Sequence, residues 1–165
     1  MAFHIQRPLG DPDEDRAIRS LLIDVFAGEG YTDRLSAETM STPDALRQRG
    51  DLLLAKSATG DLLGTVICAR PTSTARQVAA PDEVELHLLA VHPIARGNGV
   101  AAALIAACEQ RASSLGYSKM VLSTQPTMRA AHRVYERLGY QHNTSRDWSM
   151  AHTGRRYLVY EKRLS

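Results

Sequence analysis

His92-Pro93-Ile94-Ala95-Arg96-Gly97-Asn98-Gly99-Val100-Ala101 stands between a hydrophobic strand pattern and an alanine-rich helical pattern. With Gly97 and Gly99 flanking Asn98, little Cβ bulk obstructs the turn, so successive backbone N–H groups can converge on one anion. The helix beyond it adds its own unpaired N–H groups and the positive end of its dipole. The same residues admit a type I′ hairpin, which Asn-Gly favours, and a strand-to-helix turn that holds no ligand. The residues after Gly99 weigh against the hairpin. Val100 to Cys108 is an unbroken block without polar alternation, and Arg111, Ala112 and Leu115 continue its helical face.

Outward from this turn the pattern is mixed. Phe3 to Arg7 alternates as a first strand, and Asp13 to Phe26 reads as a helix with acids in its first turn and Ile18, Leu21, Leu22 and Val25 on one face. Ser36 to Arg49 is a weaker helical region interrupted by Pro43. Leu52 to Ser57 and Leu62 to Ala69 read as two strands joined by a turn at Ala58-Thr59-Gly60-Asp61. Arg70 to Asp82 is a loop and Glu83 to Val91 a strand. Beyond the helix to Leu115 come a strand at Lys119 to Ser123, a helix from Thr127 to Leu138, and two closing strands near Tyr140 to Trp148 and Tyr157 to Leu164. A meander that ends in strand, helix, strand, helix, strand is an α+β arrangement with a partly parallel centre.

Composition allows one domain over residues 1–165, without repeats or a linker. Cys68 lies in an apolar run and Cys108 in a helical one, where small core residues lie; a reducing cytoplasm is the simplest setting. The start has no apolar stretch of signal-peptide length and no run approaches a membrane span, so the chain reads as soluble and unexported. Residues 1–100 carry 10 basic and 14 acidic side chains and the remainder 10 and 4, a split of −4 and +6. The basic residues of the second half come singly, without interleaved stacking aromatics, which points to a solvated face or a small phosphorylated ligand rather than nucleic acid. The six histidines show no metal-ligand spacing, so no metal is expected.

Two blocks carry a resemblance. Glu85-Leu86-His87-Leu88-Leu89-Ala90-Val91-His92-Pro93 followed by Arg96-Gly97-Asn98-Gly99-Val100-Ala101 resembles the acetyl-CoA signature of the GNAT superfamily of N-acetyltransferases, Gln/Arg-x-x-Gly-x-Gly/Ala. Ala131-His132-Arg133-Val134-Tyr135-Glu136-Arg137-Leu138-Gly139-Tyr140 resembles the family's later Ala-x-x-x-Tyr-x-x-x-Gly-Phe/Tyr motif at its usual distance. The resemblance implies a mostly antiparallel, mixed sheet of about six to seven strands with splayed central strands and about four helices. It implies acetyl-CoA as cosubstrate, its pyrophosphate on the amides of Gly97, Asn98, Gly99, Val100 and Ala101 with Arg96 opening the loop. The edge of Leu89, Ala90 and Val91 would pair with the pantetheine arm as an added strand does, and Ala131 and Tyr135 would line the cofactor.

For the chemistry, the resemblance implies Glu85 as the base that receives the amine proton, directly or through water, and Tyr135 as the acid that protonates the departing thiolate. A solvent-facing Glu85 and a core Tyr135 are the plain structural readings of the same positions. His87 is the reserve base, since it shares a strand face with Glu85 and neutral imidazole accepts a proton near pH 7. Met128 stands where many relatives carry an asparagine that contacts the cofactor. Glu29 and Tyr31, in the Phe26 to Leu35 region, and Trp148 with Arg146 and Asp147 are candidates for the acceptor pocket. The function so implied is direct acetyl transfer to an amino group of a small molecule or peptide in a ternary complex. A non-catalytic acyl-CoA-binding or regulatory module of the same fold is the alternative. No residue speaks to oligomeric state, for which a homodimer is the common default.

Overall fold

Local chemistry sets the first helix. In the computed structural model, which describes residues 1–165, Asp11 caps helix α1 (Pro12–Phe26) by accepting from Glu14 N at 2.8 Å, with proline in the first turn and three acids against the positive dipole end. Its apolar face, Ile18, Leu21, Leu22 and Val25, is buried. Glu14 is buried too, accepting from Leu9 N at 2.6 Å and Gly10 N at 3.1 Å and pairing with Lys56. The first strand, β1 (Phe3–Gln6), precedes it.

The interrupted helical region resolves into two short helices, α2 (Arg34–Met40) and α3 (Pro43–Arg49). Pro43 cannot continue a helix but starts one well, and Thr42 caps α3 by accepting from Ala45 N at 3.3 Å. Strands β2 (Asp51–Ser57) and β3 (Leu62–Ala69) form the expected hairpin, followed by β4 (Glu83–Val91), helix α4 (Val100–Ser114), β5 (Lys119–Thr124) and helix α5 (Arg129–Arg137). The expected closing strand from Tyr140 to Trp148 is broken into β6 (Gln141–His142), a 3-10 turn at Thr144–Arg146, and β7 (Trp148–Ser149), before β8 (Arg156–Arg163). Asn143 accepts from Ser145 N at 3.2 Å and so tightens that turn, while Asp147 Oδ1 accepts from Val159 N at 2.9 Å in place of a ladder carbonyl. Eight strands and five helices therefore replace the expected six to seven and four.

The sheet order is β1-β2-β3-β4-β5-β8-β6, with β7 beside β8, and every pairing is antiparallel except β4 with β5. One face packs on α4 through Val84, Leu86, Leu104, Met120 and Leu122; the other packs on α1 and α3 through Ile18, Leu22, Leu46, Ile67 and Ala90. Gly64 is needed where α4 crosses β3, because a Cβ there would stand 3.1 Å from both Val100 Cγ1 and Leu104 Cδ1 and 3.0 Å from Ala90 O. No helix is long and apolar enough to cross a membrane.

Two irregularities of β4 position the site. Its parallel pairing with β5 runs only from Glu83↔Lys119 to Leu86↔Leu122, after which both strands continue unpaired with each other. On its other side β4 bulges: Thr65 opposes Ala90 and Ile67 opposes His87, leaving Leu88 and Leu89 against Val66. Leu88 takes φ +49°, a strained value for a branched residue. The bulge also turns Leu88 onto the face that Glu85 and His87 occupy, so alternation restarts out of phase.

Candidate active site

The turn after β4 presents bare amides. Gly97 and Gly99 have φ +78° and +80°, and Gly99 caps α4 in the left-handed region with no side-chain cap bond. The first helical bond is Ala103 N to Gly99 O at 3.0 Å, so the N–H groups before it have no partner in the chain. A Cβ on either glycine would meet nothing within 4 Å; φ, and not crowding, demands glycine here. Asn98 holds the turn by donating to Ala95 O at 3.1 Å and Arg96 O at 3.2 Å. These amides, a helix N-terminus and the edge of Leu89, Ala90 and Val91 that β5 leaves open, where Val91 O is met by Arg96, suit a pyrophosphate followed by an amide-bearing arm.

Glu85 lies on β4 just before the strands part, on the α1/α3 face, and is 1 % exposed. Its Oε1 accepts from Gln77 N, Val78 N and Ala79 N at 2.8, 2.6 and 2.6 Å, and its Oε2 lies 2.6 Å from His87 Nε2. Burial pushes this carboxyl up, but the His87 ring and the Ala79 and Val78 amides outweigh it and hold it below the ordinary carboxylate value. An ionised carboxylate only accepts, so His87 Nε2 carries the proton and Nδ1 keeps its lone pair, 3.3 Å from Arg49 Nη1. Burial holds the Arg49 guanidinium below its ordinary value, against the charge of Glu85.

Tyr135, on α5, is buried on the opposite side of the sheet with Leu122, Tyr140 and Tyr160, the two tyrosine rings 6.0 and 5.9 Å away. Tyr140 donates to Glu109 at 2.8 Å, whereas the Tyr135 hydroxyl makes no hydrogen bond within the chain. Burial pushes its proton affinity well above the ordinary phenol value, so it stays protonated at neutral pH. Ala131 is half-buried one turn earlier, and Met128 Sδ receives the Thr124 hydroxyl at 3.5 Å.

The loop between α1 and α2 spans the mouth of the splay. Glu29 pairs with Arg96, Tyr31 O accepts from Gln125 Nε2 at 2.8 Å, and Tyr31 meets Phe26 edge-on at 6.4 Å. Arg96 Nε also donates to Val91 O at 3.2 Å. On the β5 side, Trp148 stacks on Tyr157 at 4.6 Å and donates to Ser123 Oγ at 2.9 Å. Arg146 is held by Glu83, Glu161 and Val78 O, and the two carboxylates raise its affinity for its proton; it ties the last loop to the 77–79 loop. Glu85 and His87 are thus brought together, with Tyr135 on the far side of the same seam. Sequence reasoning misses Arg49 and the 77–79 amides, because nothing in the pattern marks their approach to residues 38 and six to eight positions away.

Chains of known structure share this architecture. An acetyltransferase of the GNAT family from Staphylococcus aureus Mu50 superposes with a TM-score of 0.77 at 14 % identity, covering 99 % of this chain and 100 % of that one. The ribosomal-protein-S18-alanine N-acetyltransferase from Escherichia coli gives 0.68 at 17 %, covering 99 % and 95 %. A putative acetyltransferase from Salmonella typhimurium, solved with its cofactor acetyl-CoA, gives 0.70 at 15 %, covering 100 % and 95 %. At these identities the likeness concerns the fold. No match is found among curated protein sequences. The model of the acetyltransferase (GNAT) family matches residues 16–140, three-quarters of the length, and the chain belongs to that family.

Proposed function

We propose that the protein transfers an acetyl group from acetyl-CoA to the amino group of a small molecule or peptide, by direct attack in a ternary complex. The observation that carries this reading is the uncapped amide turn at residues 97–101, at the end of the β4 segment that has parted from β5. Arg96 and the amides of residues 97–101 would hold the pyrophosphate, the Leu89–Val91 edge the pantetheine arm, and Ala131 and Tyr135 the thioester end. Acetyl-CoA bound there supplies an activated acyl thioester. The chain's residues then manage two protons.

An alkyl ammonium must lose a proton before it attacks, which costs about 4–5 kcal/mol at pH 7. Glu85 is proposed as the source of basicity, with a change of detail that its contacts support. Its oxygens are committed to three amides and an imidazole, so the first acceptor is His87 Nδ1 once Arg49 Nη1 releases it, and Glu85 stabilises the imidazolium that results. Tyr135, protonated and free of partners, donates to the departing sulfur. Each oriented amide contributes about 0.3–1 kcal/mol toward the anion, so the cluster matters and no one member does.

Calorimetric titration with acetyl-CoA, followed by assay of free CoA release across an amine panel, tests this. Binding and turnover are expected. Binding with no turnover on any amine favours the regulatory module, and no binding removes both readings.

A further inference from the structure

Next to Arg49, the residue that reaches His87, lies a cavity of about 420 Å³ between the end of α3, the end of β3 and the loop after it. No hydrophobic side chain lines it and no carboxylate does; Arg49, Arg70, Thr72, Ser73 and Thr74 supply its walls. Its size falls within the roughly 300–1,000 Å³ of small-molecule sites. We infer that this cavity takes the anionic group, carboxylate or phosphate, of the acceptor amine, a deepening that rests on the acetyltransferase reading above.

Three observations support it. First, Arg49 has five N–H donors and uses one, toward His87 Nδ1 at 3.3 Å; it forms no ion pair, and Glu85, behind that imidazole, is saturated by amides and the ring. A guanidinium so placed has donors to offer an incoming anion. Second, Arg70 reaches only a long 3.4 Å contact with Asp51, whose same oxygen is taken by Arg111 Nε at 2.7 Å, so Arg70 is not neutralised. Its guanidinium can pair with a carboxylate or phosphate in two-pronged fashion, and the neighbouring hydroxyls complete an acceptor's hydrogen bonds. Third, Arg49 belongs both to the cavity and to the His87 contact. In an α-amino acid one carbon separates carboxylate from nitrogen. An acceptor anchored on Arg49 draws the guanidinium toward its anion, frees the Nδ1 lone pair that Arg49 occupies, and brings its amine beside it, while the bound anion offsets the positive charge that Arg49 turns toward that ring.

The test compares matched acceptors at saturating acetyl-CoA: L-amino acids, their carboxamides, and phosphoethanolamine against ethanolamine. The anionic member of each pair is expected to show kcat/KM about ten- to a hundredfold higher, carried by KM. The amino-acid and phosphoethanolamine arms tell carboxylate from phosphate. Arg70→Gln, at a half-buried position, and the double change Thr72→Val with Ser73→Ala should each move that ratio toward one. Equal use of anionic and neutral amines, or a ratio unchanged in both variants, overturns the inference while leaving the transferase reading intact. A second measurement needs no turnover: inorganic phosphate and acetate, titrated separately, should shift the backbone amide NMR signals of residues 72–74 in the wild type and fail to do so in Arg70→Gln. No shift in the wild type overturns the cavity assignment even if acetylation is found, and a shift with no acetylation of any amine locates the failure in the transferase reading.

Discussion

Arg96 and Glu29 face each other fork to fork, Nη1 to Oε1 at 3.2 Å and Nη2 to Oε2 at 2.6 Å, across the opening between β4 and β5. The arginine that opens the amide turn is thereby held by a carboxylate from the α1–α2 loop, which competes with any phosphate for the same donors. Glu29→Gln should therefore tighten CoA by about two- to fivefold, the effect of releasing one partly exposed ion pair. Calorimetric Kd values for CoA in the two proteins check this, and equal or weaker binding in the variant counts against the competition.

Gly99→Ala adds a methyl group that meets no neighbour, so its whole effect comes from φ +80°. A cost of about 1–2 kcal/mol is expected, seen as a Tm lowered by a few degrees, with weaker CoA binding as the turn relaxes. An unchanged Tm would mean that the turn tolerates another backbone shape.

Tyr135→Phe removes one oxygen from a hydroxyl with no partner in the chain. We expect kcat to fall by about a hundredfold or more, with CoA affinity and Tm nearly kept. Because burial raises its pKa, the proton should remain through the alkaline range, so the wild-type rate shows no loss from this group up to about pH 10. Glu85→Gln differs: its amide cannot accept from three N–H groups and a ring as the carboxylate does, so turnover and thermal stability should fall together. Turnover unaltered in both variants would remove the assigned roles.

Lys56→Met strands the buried Glu14 carboxylate, which keeps only the Leu9 and Gly10 amides. A loss near the lower end of about 3–5 kcal/mol is expected in chemical denaturation, and the double change with Glu14→Gln should recover part of it. If Lys56→Met alone proves neutral, the pair does not anchor α1 to β2.

Acid should unfold the protein through its carboxylates. In Glu83 burial is outweighed by Arg146, in Glu85 by His87 and the loop amides, and in Glu161 by Arg146 and Asn143, so all three sit below the ordinary glutamate value. A carboxyl lowered on folding stabilises fully above its unfolded value, about 4.3, and that contribution is lost as pH falls through the folded value. Tm should be level above about pH 5 and drop progressively below about pH 4, and a flat Tm down to pH 3 would contradict this.

Regions governed by near neighbours are readable in the chain itself. The β4 run, the alanine block of α4 and the glycine turn between them state their conformations within about ten residues, by apolar period and by chain flexibility. Pro43 is visible as an interruption, though whether it ends a helix or begins one depends on Thr42 reaching Ala45 N. The closing hairpin misleads because alternation alone cannot show that Asp147 replaces a ladder acceptor. Across the site the decisive contacts are remote in sequence: Arg49 with His87, 38 residues apart, and Glu29 with Arg96, 67 apart. No periodicity encodes such meetings. They arise from packing α3 and the α1–α2 loop on one face of the finished sheet.

The short parallel register between Glu83–Leu86 and Lys119–Leu122 has a mechanical corollary. Four residue pairs zip the amino-terminal leaves of the sheet to the carboxy-terminal ones, and above them no strand hydrogen bond joins β4 to β5, so whatever fills that gap bridges both leaves. Amide deuterium uptake ought to concentrate along the unzipped β4 edge above these pairs in the free protein and to slow when an occupant spans it, so that the cargo doubles as a splint.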